Sequence, residues 1–177
     1  MLVRAVIGGV VGLTTTLPCA RGQNPAAVSG SQSPTQATPA ATAMTPVQRA
    51  DSTPEGKLKN PYSDADQAVV ESGRQVYLRY GCSGCHGGTG GGGICPPLTN
   101  DVWVYGGDDD TLFRLVAYGS EVLQSKGYAR KATENVVGAM PPMGQVLQTD
   151  DELWRILAFV RANYHGAPEC KFGCGAT

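Results

Sequence analysis

The sequence has no run of about 18 or more apolar residues, so no segment is long enough to cross a bilayer as a helix. It also lacks an excess of positive charge, with 14 Lys and Arg against 15 Asp and Glu in 177 residues. Because phosphate binding needs clustered basic residues, nucleic acid is excluded as a partner. Aromatic residues make up only 7% of the chain. Glycine (24), proline (12) and six cysteines are the residues that stand out, and they indicate a small folded unit with a loose extension.

The first 22 residues are expected to be a secretory signal peptide. Arg4 supplies a positive start, a short apolar stretch follows it, and the small residues that come next suit a signal peptidase. The protein is therefore expected in the periplasm. Lipidation of Cys19 is an alternative, although Pro18 directly before it fits that modification poorly.

Residues 23–60 are expected to be a disordered linker. They consist largely of Pro, Ala, Ser, Thr and Gln, and such a segment buries too little apolar surface to offset the entropy of ordering it. The folded domain is then expected over 61–177, where acidic residues outnumber basic ones by 13 to 9. A domain of this size is only marginally stable without a large cofactor or disulfides.

Apolar residues at spacings of three and four predict three helices in the domain. They run from Asp66 to Tyr80, from about Asp109 to Tyr118, and from Asp150 to Tyr164. Gly119 stands where a left-handed residue would end the second helix. No segment shows the alternation of a β-strand, so the fold class is predicted to be all-α.

The most informative motif is Cys82-Ser83-Gly84-Cys85-His86, which follows the first helix. A C-x-x-C-H run is the attachment motif of c-type haem. Its two thiols can each add across one vinyl group of the porphyrin, and the next residue then lies under the iron, where a neutral imidazole nitrogen binds the metal. The motif therefore predicts one covalent haem c, with Cys82 and Cys85 as attachment residues and His86 as an iron ligand.

Three other hypotheses compete for the same cysteines. A thioredoxin-like redox pair begins a helix after a strand, and no βαβ pattern is present here. A zinc site would need two more ligands, for which Cys170, Cys174 and His165 are the available residues. An ordinary structural disulfide is the third alternative.

The second iron ligand is expected in the proline-rich loop before the last helix. Met140 and Met143 both lie there, and the neighbouring prolines restrict the loop, so that little entropy is lost when a thioether binds iron. His165 is a weaker candidate because it follows the final helix.

Taken together, these residues resemble the class I c-type cytochromes. In that family a glycine on the first helix meets an aromatic residue on the last, and Gly73 and Phe159 match this pattern. The family's ligand methionine is followed directly by proline, which favours Met140 over Met143. A proline after the motif supplies a carbonyl to the haem-ligating histidine, and Pro96 fits that place. The family usually has glycine before this proline, whereas this chain has Cys95.

Within the class, segments 87–110 and 134–138 resemble the cytochromes c of methylotrophic bacteria, cytochrome cL and its relatives. The resemblance implies a quinoprotein (PQQ) methanol or alcohol dehydrogenase as electron donor, and a small cytochrome or an oxidase as acceptor. It also implies that Trp103 and Tyr105 lie beside a haem propionate, where their N–H and O–H groups can donate hydrogen bonds.

Two further features leave alternatives open. Asp108, Asp109 and Asp110 are expected to form an acidic helix start in solvent rather than a calcium site, since no EF-hand pattern surrounds them. In an oxidising compartment a disulfide is expected. We favour Cys95 with Cys170, with Cys174 as the rival partner and a Cys170–Cys174 pair as an alternative, and one thiol would be left free.

These observations predict a periplasmic monohaem electron carrier rather than an enzyme. With both axial positions of the iron filled, neither oxygen nor peroxide finds an open site, and methionine ligation favours ferrous iron. The alternative is a haem-based sensor or a peroxidase-like enzyme, which would need a displaceable axial ligand.

Overall fold

The computed structural model describes residues 43–134 and 138–173, and all regular structure within them is helical. The predicted all-α fold class is confirmed. The elements, in chain order, are α1 Pro46–Ser52, α2 Gln67–Arg79, α3 Ser83–His86, α4 Asp109–Ser125 and α5 Asp150–Ala162, followed by a 3-10 turn at Pro168–Cys170. None of these helices is both long and apolar enough to cross a membrane.

Helices α2 and α5 begin where their polar side chains satisfy free main-chain N–H groups. The Asp66 carboxylate accepts hydrogen bonds from the N–H groups of Ala68 and Val69 at the start of α2. Thr149 and Glu152 form a reciprocal capping box at the start of α5. Both starts lie within one residue of the sequence-based prediction.

The two helices cross at Gly73, in the middle of α2. A Cβ atom at this position would lie 2.0 Å from the main-chain oxygen of Arg155 and 3.1 Å from the Cβ of Phe159. One turn further along, the rings of Tyr77 and Phe159 pack with their centroids 5.1 Å apart. The contact that the sequence predicts between these two helices, α2 and α5, is therefore present. Only glycine allows their main chains to approach so closely.

Helix α4 is longer than predicted and is broken at Gly119. This residue has φ 75° and ψ 165°, outside the helical region, yet the chain continues in a helical course to Ser125. A Cβ at Gly119 would lie 2.7 Å from the main-chain oxygen of Met140. The break therefore makes room for the loop that carries Met140, where the sequence predicted only a helix end.

The prediction of a disordered linker over 23–60 is wrong for residues 43–60. Helix α1 starts with a capping box between Thr45 and Gln48 and buries Pro46 and Ala50. Arg114 of α4, which is buried, donates hydrogen bonds to the main-chain oxygen of Ala50 at 2.8 Å and of Thr53 at 2.7 Å. The hydrogen bonds of the buried Arg114 hold residues 50–53 in place. The amino-acid composition of the segment does not indicate these contacts. Residues 1–42, with the predicted signal peptide and Cys19, lie outside the described residues.

The acidic run Asp108–Asp110 is not a solvated helix start, so that expectation is corrected. Asp108 caps α4 by accepting the N–H of Thr111 at 2.9 Å. Asp110 is 2% exposed and pairs with Arg114, whose Nε lies 2.8 Å from its Oδ2. Asp109 accepts a hydrogen bond of 2.7 Å from the buried Arg161 of α5. Asp109 thus joins α4 to α5, and Asp110 also accepts the N–H of Leu58 at 3.0 Å, so these carboxylates are engaged by protein groups. Among the described residues no group of His, Cys, Asp and Glu is arranged to hold a metal ion.

Candidate functional site

A cleft lies between α3, the segment that follows it, α4 and the loop that carries Met140. Its volume is about 900 Å³ including the mouth that opens to solvent. Most of its wall is apolar, and the apolar side chains include Leu98, Val102, Val104, Tyr105, Leu112 and Leu115. A flat hydrophobic cofactor suits such a wall better than a polar substrate does.

His86 ends the short helix α3 and lines this cleft. Its Nδ1 lies 2.9 Å from the main-chain oxygen of Pro96. Because a carbonyl oxygen can only accept, Nδ1 carries a proton, and in the neutral imidazole Nε2 is then the nitrogen whose lone pair can bind a metal. The pairing also fixes the ring orientation, which is the role expected of Pro96.

The glycine-rich loop brings Pro96 back to His86. The N–H of Gly92 donates to the oxygen of His86 at 2.9 Å, and the N–H of Cys95 donates to the oxygen of Cys85 at 3.1 Å. A Cβ at Gly93 would lie 2.7 Å from that same Cys85 oxygen. The loop therefore folds tightly onto the C-x-x-C-H turn, and small residues are required where it does so.

The two motif cysteines occupy different surroundings. Cys85 lines the cleft, whereas Cys82 is half-buried against the hydrophobic core. Burial raises the pKa of the Cys82 thiol. Tyr77 of α2 supports the same turn, since its hydroxyl donates to the oxygen of Gly87 at 2.7 Å. Burial raises the pKa of Tyr77 to about 12, so the hydroxyl remains a donor at neutral pH.

Met140 and Met143 are separated by the fold. Met140 lines the cleft together with Pro141, while Met143 packs against the hydrophobic core. Two hydrogen bonds hold Met140, one from its N–H to the Ser120 Oγ and one from the Ser120 N–H to its oxygen, both 3.0 Å long. Of the two methionines, only Met140 is placed to reach a group bound in the cleft.

Trp103 and Tyr105 both line the cleft, but the expected role of Trp103 is corrected. Its indole N–H donates to the main-chain oxygen of Cys170 at 3.0 Å, so it is not available to a propionate. Its ring stacks on Tyr164 with the centroids 5.4 Å apart. Trp103 thus joins the C-terminal segment to the cleft wall, and a donor role toward a propionate remains an expectation for Tyr105 alone.

The favoured disulfide between Cys95 and Cys170 is also wrong. Cys95 forms no disulfide, and neither do Cys82 and Cys85. Cys170 is disulfide-bonded, and its partner is none of these three residues. The side chain of Cys95 instead lies against Cys85 in the cleft wall, where burial raises the pKa of its thiol. Cys174, the rival partner, lies outside the described residues.

Glu134 is a polar residue of the cleft for which the sequence analysis predicted no chemical role. Its Oε1 accepts a hydrogen bond of 3.2 Å from Asn100, and its Oε2 is buried with no hydrogen-bond partner among the described residues. Residue 134 belongs to the segment that resembles methylotroph cytochromes, but no local pattern in the sequence indicates that its side chain lines the cleft.

The residues of the cleft fit a covalently attached haem. The wall is apolar, the thiol of Cys85 lies in it, and the proton on His86 Nδ1 leaves Nε2 for iron. The thioether of Met140 is a soft ligand suited to low-spin iron. A tetrahedral zinc site would need a third and a fourth ligand, which no cluster among the described residues supplies.

Comparisons with known proteins agree with this chemistry. The family described as cytochrome c oxidase, cbb3-type, subunit III matches residues 68–160. Among curated proteins, the cbb3-type cytochrome c oxidase subunit FixP of Sinorhizobium medicae is 31% identical over 106 residues, which are 58% of this chain and 32% of that protein. Subunit CcoP of Rhodobacter capsulatus is 36% identical over 58 residues, 31% of this chain and 19% of that protein. The chain thus spans about a third or less of the length of these two relatives.

Two solved structures are also similar to parts of the chain. Cytochrome cL from Methylophaga aminisulfidivorans MPT has 28% sequence identity and a TM-score of 0.43, covering 61% of this chain and 67% of that one. Cytochrome cL from Hyphomicrobium denitrificans has 29% identity and a TM-score of 0.40, covering 55% and 49%.

Proposed function

This chain belongs to the c-type cytochrome family that includes subunit III of cbb3-type oxidases. We propose that it carries electrons from a PQQ-dependent alcohol dehydrogenase. It is a class I c-type cytochrome with one covalently bound haem c, and an electron-transfer protein rather than an enzyme. The donor, the acceptor, the compartment and the roles of single residues are proposals.

Each of the proposed site residues has a different role in binding the haem. The thiols of Cys82 and Cys85 form the two thioether bonds, so the cofactor stays with the chain. Nε2 of His86 and the thioether of Met140 would be the two protein ligands of the iron. Pro96 holds the imidazole, and Tyr105 is the proposed donor to a propionate. When bound, the haem supplies one-electron chemistry between the ferric and ferrous states.

One observation carries this proposal: His86, with its tautomer set by Pro96, and Met140 line the same apolar cleft. With both of these residues bound to the cofactor, no position would be left for oxygen, so the protein would transfer electrons without activating it. The soft sulfur of Met140 and the apolar wall both favour the ferrous state, which raises the reduction potential.

Substitution of each methionine tests the ligand assignment. Ferric haem with methionine as its ligand shows a weak long-wavelength charge-transfer band. We expect this band to disappear in Met140→Ala and to persist in Met143→Ala, which is the matched control because Met143 packs against the core. Rapid binding of carbon monoxide to the wild-type ferrous protein would contradict the carrier and favour a sensor or a peroxidase-like enzyme.

The proposed donor is supported by the sequence resemblance of segments 87–110 and 134–138 to methylotroph cytochromes. The acidic excess of residues 61–177 would attract a basic surface on such a partner. The test is stopped-flow reduction by a purified PQQ-dependent methanol dehydrogenase, with a NAD-linked alcohol dehydrogenase as the control. We expect rapid reduction that slows as salt is added. Reduction no faster than the control would contradict the proposed donor.

An oxidase is the proposed acceptor, either directly or through a second small cytochrome. The similarity to FixP and CcoP supports it, since both are subunits of cbb3-type oxidases. Membranes that contain such an oxidase are expected to oxidise the reduced protein under air. The periplasm is the compartment proposed for this exchange, and a shortened N-terminus in the mature protein recovered from a periplasmic extract would support it.

A further inference from the structure

The carboxylate of Glu134 lies in the wall of the haem cleft with only one of its two oxygens paired. Oε1 accepts the hydrogen bond from Asn100, whereas Oε2 is buried and has no partner in the described part of the chain. Burial of an unpaired carboxylate oxygen costs free energy. Glu134 is the one carboxylate among the described residues that line the cleft.

No cation neutralises this carboxylate within the described ranges. The seven ion pairs found there involve other acidic residues. Arg130 is close, but its guanidinium donates to the main-chain oxygen of Glu134 at 2.9 Å and is exposed. The side chain therefore places a carboxylate without an ion-pair partner in a mostly apolar cleft wall, where solvent and salt screen its buried oxygen weakly.

We propose that Glu134 lowers the reduction potential of the haem through this charge. Reduction adds one electron and needs no proton, so the ferric cofactor carries one more positive charge than the ferrous one. A fixed negative charge in the cleft therefore stabilises the ferric state. Glu134 would oppose Met140, whose sulfur favours the ferrous state. The inference rests on the proposed haem site and adds to it a residue that sets the potential.

The test is Glu134→Gln in the haem-loaded full chain. Glutamine keeps the size of the side chain and an oxygen that can accept from Asn100, and it removes the charge by replacing the second oxygen with an NH2 group. At a fixed applied potential we expect the ratio of ferrous to ferric protein to rise about tenfold, which corresponds to 59 mV for one electron. Glu121→Gln is the matched control, because Glu121 is exposed on α4 and should shift the ratio little.

Two further measurements separate charge from structure. Glu134→Asp keeps the charge and shortens the side chain, so its potential should stay near that of the wild type; a shift as large as that of glutamine would contradict the proposal. The shift in Glu134→Gln should also persist at high salt, since one of the two carboxylate oxygens is buried. A shift that salt abolishes, or one equal to that of the Glu121 control, would overturn it.

Failure of this inference differs from failure of the proposed function. A colourless wild-type protein would contradict the haem site itself. A coloured Glu134→Gln protein with an intact charge-transfer band and an unchanged potential would contradict the role of Glu134 alone.

Discussion

Ser120 and Met140 are joined by two hydrogen bonds, each 3.0 Å long, one through the serine hydroxyl and one through its main-chain N–H. Ser120 follows the break in α4 at Gly119, so the break directs both groups of the serine toward the methionine loop. The position of the proposed iron ligand thus depends on an irregularity in a helix that is about 20 residues away in sequence.

Substitution of Gly119 should release the methionine. In Gly119→Ala the new Cβ would lie 2.7 Å from the Met140 oxygen, and the residue would retain φ 75°, which is unfavourable for alanine. We expect the charge-transfer band of methionine ligation to weaken or disappear. Gly127→Ala is the control, because Gly127 has φ 94° but no atom within 4 Å of its Cβ position. Equal loss of the band in both variants would show that backbone strain alone is responsible.

Removal of the Ser120 hydroxyl should loosen the same loop by a smaller amount. Ser120→Ala loses one of the two hydrogen bonds, which contributes about 1 kcal/mol. We therefore expect the apparent affinity of the ferric protein for imidazole, which competes with Met140, to rise about fivefold. In the control Ser125→Ala, the lost hydroxyl bonds only to the nearby oxygen of Val122. An unchanged imidazole affinity in Ser120→Ala would contradict the role of the hydroxyl.

The crossing of α2 and α5 should not tolerate a side chain at Gly73. The Cβ of Gly73→Ala would lie 2.0 Å from the main-chain oxygen of Arg155, so the helices would have to move apart. We expect the free energy of unfolding to fall by about 3 kcal/mol, measured by denaturant titration. Gly88→Ala, where nothing lies within 4 Å, should leave it nearly unchanged. Similar values for the two variants would mean that the crossing is looser than described.

The buried Asp110–Arg114 pair should make stability depend on acid pH. Burial acts to raise the pKa of Asp110, but the hydrogen bonds from Arg114 and from the N–H of Leu58 outweigh it, and the pKa is lowered. The folded protein thus binds a proton at Asp110 less readily than the unfolded chain. The resulting stability is present above the ordinary carboxyl pKa of about 4 and is lost as pH falls through the lowered value.

Asp110→Asn tests this dependence. We expect a loss of about 3 kcal/mol near neutral pH, since the substitution leaves Arg114 buried without its anion. The loss should shrink as pH falls below about 4, because protonation weakens the pair in the wild type as well. Denaturant titrations at several pH values measure both effects, with Glu71→Gln, an exposed carboxylate, as the control that should change little. A loss independent of pH would exclude the ion pair as its cause.

The parts of the fold that were predicted from sequence are those with local signals. Helices α2 and α5 carry apolar periodicity and polar caps within single segments, and the C-x-x-C-H motif needs only five adjacent residues. Gly73 and Phe159 were paired only through the family resemblance, since their contact joins distant segments. Met140 was favoured over Met143 as the iron ligand on the same ground. The structure gives a physical reason for that choice, since Met140 lines the cleft and Met143 packs against the core.

The features that were missed depend on contacts between distant residues. The segment with α1 has a composition typical of a linker, and what orders it is a buried arginine about 60 residues away. A capping box at Thr45 and Gln48 was a local signal that could have indicated this helix. No local signal indicates that the Trp103 indole bonds to Cys170 or that Glu134 is partly buried beside Asn100. Each contact joins residues that are more than 30 positions apart in the sequence.

The central claim is that one haem is bonded to Cys82 and Cys85, and the mass of the denatured protein tests it most directly. Thiol addition to a vinyl group loses no atoms, so the account predicts a mature chain heavier by the full mass of one haem after denaturation and solvent extraction. The Cys82→Ser, Cys85→Ser double variant should show only the mass of the polypeptide. A wild-type chain that leaves its haem in the solvent, or that carries none, would contradict the account.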